Sequence, residues 1–168
     1  MAEFELAYDK TLNAEGGYKL TNIKGDAGKQ TYAGISRVFH PTWRGWLEID
    51  AGRIPPTEWV RDLYRDEFWS AIKGYAITNQ SIAESIYDMA VNGSPSVAIK
   101  LAQIVVGTVP DGVIGTKTLA ALNSFNPRLF RAEYTIARIA RRDTVVTKKP
   151  SQLKFFHGWV RRDLKGAQ

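Results

Sequence analysis

Hydrophobic positions recur at helical spacing through most of the chain and alternate in only one stretch. Phe4, Tyr8, Leu12 and Glu15 fall at i, i+4, i+8 and i+11, which predicts an amphipathic helix whose apolar stripe ends in a carboxylate. Val60, Leu63, Tyr64, Phe68, Ala71 and Ile72 make a second stripe after Pro55-Pro56-Thr57, with Thr57 the expected N-cap. Ile82, Ile86, Met89 and Ala90 make a third, broken by Asn92-Gly93-Ser94-Pro95. Ser94 and Pro95 suit the cap and first position of another helix through Val97, Leu101, Ile104 and Val105. Asp111-Gly112 predicts a turn before a short helix with Leu119 and Leu122. Asn126-Pro127 starts a helix expected to reach about Arg142, and Leu153, Phe156, Val160 and Leu164 mark the last one. Lys29, Thr31, Ala33 and Ile35 alternate with Gln30, Tyr32 and Gly34, which fits a short strand. The pattern predicts a mainly α (α+β) domain, a helical bundle with a small β-hairpin or irregular β element near residues 20–36.

Glu15 carries the most chemical information. Gly16 and Gly17 follow it, as glycines do at helix C-termini, so Glu15 belongs in the last turn on the inward stripe. The negative end of the helix dipole and an apolar surrounding both disfavour its ionisation, which suits a general acid. A solvated glutamate at a helix end is the competing account. Gly25-Asp26-Ala27-Gly28 reads as an ordinary turn and Thr31-Tyr32 as the opening of a strand.

The ordered set Glu15-Gly16-Gly17-Tyr18, then Asp26-Ala27-Gly28-Lys29-Gln30-Thr31-Tyr32-Ala33-Gly34-Ile35, resembles the signature of glycoside hydrolase family 108, lysozyme-like N-acetylmuramidases common among phage endolysins. The loop between Glu15 and Asp26 is slightly longer here, and Ala33 separates Tyr32 from Gly34. Tyr87-Asp88-Met89-Ala90-Val91-Asn92-Gly93, Asp111-Gly112-Val113-Ile114-Gly115 and Phe155-Phe156-His157-Gly158-Trp159 resemble the predicted peptidoglycan-binding region that completes such proteins. The resemblance implies one lysozyme-like domain over 1–168, with the catalytic motif in 1–85 and a helical peptidoglycan-binding-like region, 86–168, packed on it. It implies hydrolysis of the β-1,4 bond between N-acetylmuramic acid and N-acetylglucosamine. Glu15 would be the acid and Asp26 an ionised stabiliser or base, the pair that glycosidic cleavage through an oxocarbenium-like transition state requires, and Thr31 would hold the attacking water. A lytic transglycosylase using the same acid, and a non-catalytic peptidoglycan- or nucleic-acid-binding protein, are the alternatives.

With 168 residues, 44% hydrophobic and 24% charged, the chain is globular and long enough for a working core. Cysteine is absent, which excludes disulfides and thiolate metal sites. His40 and His157 are isolated and no phosphate-cradling glycine loop occurs, so neither metal nor cofactor is expected. Met1 to Lys10 carries Glu3, Glu5 and Asp9 and lacks an apolar run of signal length. With the family resemblance, this suggests residence in a host cytoplasm before release to the periplasm or wall, as a monomer.

Net charge is +6 and the calculated pI about 9.6. Arg138, Arg141, Arg142, Lys148, Lys149, Arg161, Arg162 and Lys165 give a basic C-terminal third rather than one recognition helix. Specific nucleic acid is therefore not expected. Such a surface would steer the protein towards anionic envelope material or an outer membrane through its last helix. Candidate sugar contacts are Tyr18, Tyr32, Trp43, Trp46 and Tyr87, with Asp88 and Asn92 one helical turn apart and able to line a cleft. Core packing competes for each aromatic, and a structural role competes for Asp88. Trp43 and Trp46 flank Arg44-Gly45 in a segment that reads as loop.

Overall fold

A computed structural model describes residues 1–14, 16–22 and 30–166. Among these, eight α-helices surround one buried layer, and a three-stranded antiparallel sheet flanks the first helix. The order is α1 (Phe4–Ala14), β1 (Leu20–Asn22), β2 (Gln30–Tyr32), β3 (Ile35–Ser36), α2 (Gly45–Asp50) and α3 (Thr57–Tyr64). Then follow α4 (Gln80–Asn92), α5 (Pro95–Val105), α6 (Thr116–Ser124), α7 (Pro127–Lys148) and α8 (Leu153–Lys165). This is a mainly α, lysozyme-like fold, as the periodicity and the family signature predict.

Helix α4 is the centre of the bundle: none of its residues is fully exposed, and Ile82, Ala83, Ile86, Tyr87, Met89 and Ala90 are buried, with α1, α5 and α7 packed around it. Its start was not apparent from the apolar stripe, yet Asn79 caps it, its side chain accepting from the amides of Ser81 and Ile82 at 3.0 and 3.2 Å. Ser94 and Asn126 cap α5 and α7, each followed by proline at the first helical position. The Asp111-Gly112 turn is held by Gln103, whose Nε2 donates to Asp111 at 2.7 Å and whose Oε1 accepts from the Gly112 amide at 2.9 Å. Gln103 is fully buried, so this turn is built into the scaffold.

Four local expectations change. Thr57 is the first residue of α3 and makes no cap bond, because Pro56 occupies the cap position. The second stripe is interrupted after Tyr64 by a widened π turn, Arg65–Trp69, closed by Ser70 N to Arg65 O at 2.8 Å. It seats Trp69 fully inside, where a Cβ on Gly74 would collide with the indole. The expected loop holds for Trp43 and Arg44 but ends at Gly45, which opens α2; only glycine fits there because a Cβ would overlap the Trp43 ring. Helix α7 also runs six residues past Arg142, to Lys148.

Candidate active site

The C-terminal end of α1 and the β-hairpin face each other through backbone bonds. Phe4 and Tyr8 are buried along α1 and Leu12 partly so. Gly16 and Gly17 then turn the chain with φ of +87° and +76°, a region that costs other residues energy but not glycine. Their amides return to Asn13 O at 3.2 Å and Leu12 O at 2.9 Å, satisfying carbonyls at the helix end. From there Lys19 N donates to Gly17 O at 2.9 Å, and Ala33 N donates to Lys19 O at 3.1 Å. Glu15 and Asp26 lie outside the described residues; the backbone on the C-terminal side of Glu15 and that following Thr31 are thus hydrogen-bonded together.

Register sets which side chains the hairpin presents. Thr21 pairs with Thr31, and Thr31 with Ser36, so three hydroxyl residues form one row across the sheet. Tyr32 pairs with Leu20 and Ile35 on the other face, where Tyr32 and Ile35 are buried. Thr31 is half-buried and Thr21 exposed, which leaves the hydroxyl row the accessible side. The β2 to β3 turn places both Ala33 and Gly34 at positive φ, +48° and +79°. Alanine is held in that uncommon conformation by Tyr64, whose hydroxyl donates to Ala33 O at 3.0 Å. Arg37 fixes the sheet to α2, donating to both Asp50 oxygens at 2.7 and 2.6 Å and to Gln30 Oε1 at 2.6 Å. Those hydrogen bonds hold the Asp50 carboxyl below its usual range.

Tyrosines crowd this junction. The Tyr18 hydroxyl lies 3.1 Å from that of Tyr8, whose ring meets Tyr64 edge-on. Burial first, and then the bond to Tyr18, push the Tyr8 phenol well above its ordinary value. Tyr18 is 40% exposed and can meet a ligand. Tyr32 stacks on Trp43 at 6.0 Å, and its buried hydroxyl finds no partner among the described residues.

The other candidate contacts divide by burial. Trp46 is 2% exposed, its Nε1 donating to His40 O at 2.7 Å, and Tyr87 is fully enclosed beside Phe4 and Trp69. Neither offers a ring face to a sugar; both are packing residues. Trp43 is nearly buried, but its edge lines a surface groove of about 540 Å³ with Phe39 and Trp59, two aromatics the sequence did not single out. Arg44 lies over the Trp59 ring at 4.3 Å.

Asp88 and Asn92 are held in an ion cluster, and Asp88 also lines a cavity between α1, α4, α7 and α8. Asp88 accepts from Arg138 at 2.6 Å and from Arg162 at 2.8 Å, while Asn92 accepts from Arg142 at 2.6 Å. Burial alone would raise the Asp88 carboxyl, but Arg138 and Arg162 outweigh it and hold it below the usual carboxylate value. Asp163 completes the cluster, fully buried and 2.6 Å from Arg138 and 3.3 Å from Arg142. Arg138 and Arg142 are therefore buried, which removes them from the expected basic surface. Asp163 escaped the sequence reading, although it is the one acidic residue of an otherwise basic α8.

A sheet tied to a glycine-terminated first helix, with a helical scaffold behind it, defines a lysozyme-like class. The family model of glycosyl hydrolase 108 matches residues 8–93, just over half of the chain, and that of a predicted peptidoglycan domain matches 97–164. The chain belongs to the glycosyl hydrolase 108 family and is a glycoside hydrolase directed at peptidoglycan. Among solved structures it is similar to that described as the structure of Brucella abortus SagA, at 26% identity and a TM-score of 0.63 over 98% of this chain and 95% of that one. No curated protein sequence matches.

Proposed function

We propose that the protein hydrolyses the β-1,4 bond between N-acetylmuramic acid and N-acetylglucosamine. In this reading Glu15 protonates the leaving oxygen, Asp26 stays ionised to stabilise the developing cation or act as base, and Thr31 holds the attacking water. The observation that supports it most is the Gly17 to Lys19 to Ala33 backbone relay, which ties the segment following Glu15 to the hairpin carrying Thr31. The half-buried Thr31 stands in a row of hydroxyls on the accessible face of the sheet, a suitable lining for a polar substrate. Tyr18, and the groove edge formed by Phe39, Trp43 and Trp59, would contact the glycan. The same reading makes it a bacteriophage endolysin acting from the host cytoplasm in lysis, a role supported by the family signature.

Digesting purified sacculi and weighing the soluble fragments tests the chemistry. Fragments with a free reducing-end muramic acid are expected. Anhydro-muramyl ends would assign a lytic transglycosylase instead, and binding without soluble fragments would leave only the binding protein.

A further inference from the structure

A cavity of about 420 Å³ opens where α1 and α4 meet α7 and α8, away from the β-hairpin. Helices α1 and α4 lie largely in the hydrolase match, α7 and α8 in the peptidoglycan-domain match. Among the described residues its cations are Lys10, Arg131, Arg138, Arg162 and Lys165, against two carboxylates, Glu84 and Asp88. Both carboxylates are already engaged. Glu84 accepts from Lys10 at 2.6 Å, and Asp88 is shared by Arg138 and Arg162.

One buried polar group on its wall lacks a partner among the described residues. Arg138 is 2% exposed and its Nε donates to nothing. Thr11 lines the same wall and brings a hydroxyl to it. Buried polar groups are normally satisfied, so a cationic cavity that leaves a guanidinium N–H unpaired is suited to an anionic ligand. Its volume is in the range of small-ligand sites.

We propose that this cavity binds a carboxylate-bearing peptide substituent of the peptidoglycan strand. The inference rests on peptidoglycan being the substrate. Sugar hydroxyls of the glycan are neutral and need no excess of cations, whereas the short peptides carried on muramic acid end in free carboxylates. Lys165 would attract that carboxylate, the unpaired Nε–H of Arg138 would donate to it, and Thr11 would bond the adjoining peptide. Such a subsite would hold the strand through its peptide while the hairpin side holds its sugars.

The test titrates the whole protein with a synthetic stem tripeptide bearing free carboxylates, with its fully amidated form, and with acetate, by calorimetry. The free-carboxylate peptide should bind saturably and more weakly as salt rises, with the amide on the order of tenfold weaker. Lys165→Glu, at an exposed position that leaves the core untouched, should weaken the peptide by a similar factor, and Thr11→Val should weaken it with little change in salt dependence. No saturable binding, equal binding of acid and amide, or an unchanged Lys165→Glu protein overturns the proposal. Acetate binding as tightly as the peptide reduces the site to a simple anion site and overturns it too. Sacculus digestion in parallel separates the two claims. Hydrolysis without peptide binding defeats this site alone, and peptide binding without hydrolysis defeats the catalytic reading alone.

Discussion

The hydroxyls of Tyr8 and Tyr18 meet at 3.1 Å, joining the second turn of α1 to the segment just beyond its glycine terminus. The bond spans the stretch that includes Glu15, so it limits how far the end of the helix can shift. Tyr18→Phe should lower stability by about 0.5–1.5 kcal/mol and lower kcat more than it changes KM, because it loosens positioning while leaving the ring. Urea unfolding and steady-state hydrolysis of a soluble glycan check the two effects separately.

The left-handed Ala33 depends on Tyr64. Tyr64→Phe removes the donor to a buried carbonyl and should destabilise the protein by about 1–3 kcal/mol, read as a lower urea midpoint with unchanged slope.

Asp163 neutralises two buried guanidiniums. Asp163→Asn should cost about 3–5 kcal/mol, since Arg138 and Arg142 would keep their charge in the interior with less to offset it. Thermal unfolding measures this directly.

Asp88 predicts the acid limb of stability. Its folded carboxyl lies below the unfolded value of about 3.9, so its contribution is present above that pH and is lost as pH falls through the folded value. Asp88→Asn should be less stable than the parent at pH 7, and the two curves should converge as pH drops below about 4. Equilibrium unfolding between pH 2 and 7, roughly the span of carboxylate titration, gives the comparison.

Thr31→Val keeps shape and strand preference. It should lower kcat by about 10²-fold if Thr31 orients the attacking water, with folding stability little changed.

Local signals account for what could be read from the chain. Ser94-Pro95 and Asn126-Pro127 are cap and first-turn pairs whose effect depends on the next three residues, and both helices begin there. Gly16-Gly17 marks the end of α1 for the same reason. Helix α2 was missed because six residues do not complete two apolar turns and Arg44 supplies no cap bond. The fate of the arginines was not legible either. Arg138 and Arg142 look like surface charge until folding brings Asp88 and Asp163 beside them from other helices. The candidate catalytic residues stood out by type and spacing. The burial of Trp46 and Tyr87, and the exposure of Phe39, depend on tertiary packing that no short window contains.

Glu15 is the centre of the functional reading, and Glu15→Gln tests it most directly. Purified sacculi would be followed by turbidity with the parent and the variant, matched for fold by circular dichroism. The parent should clear the suspension and the variant should not, while both still sediment with intact sacculi. Equal clearing by the two proteins would contradict the assignment of Glu15 as the acid.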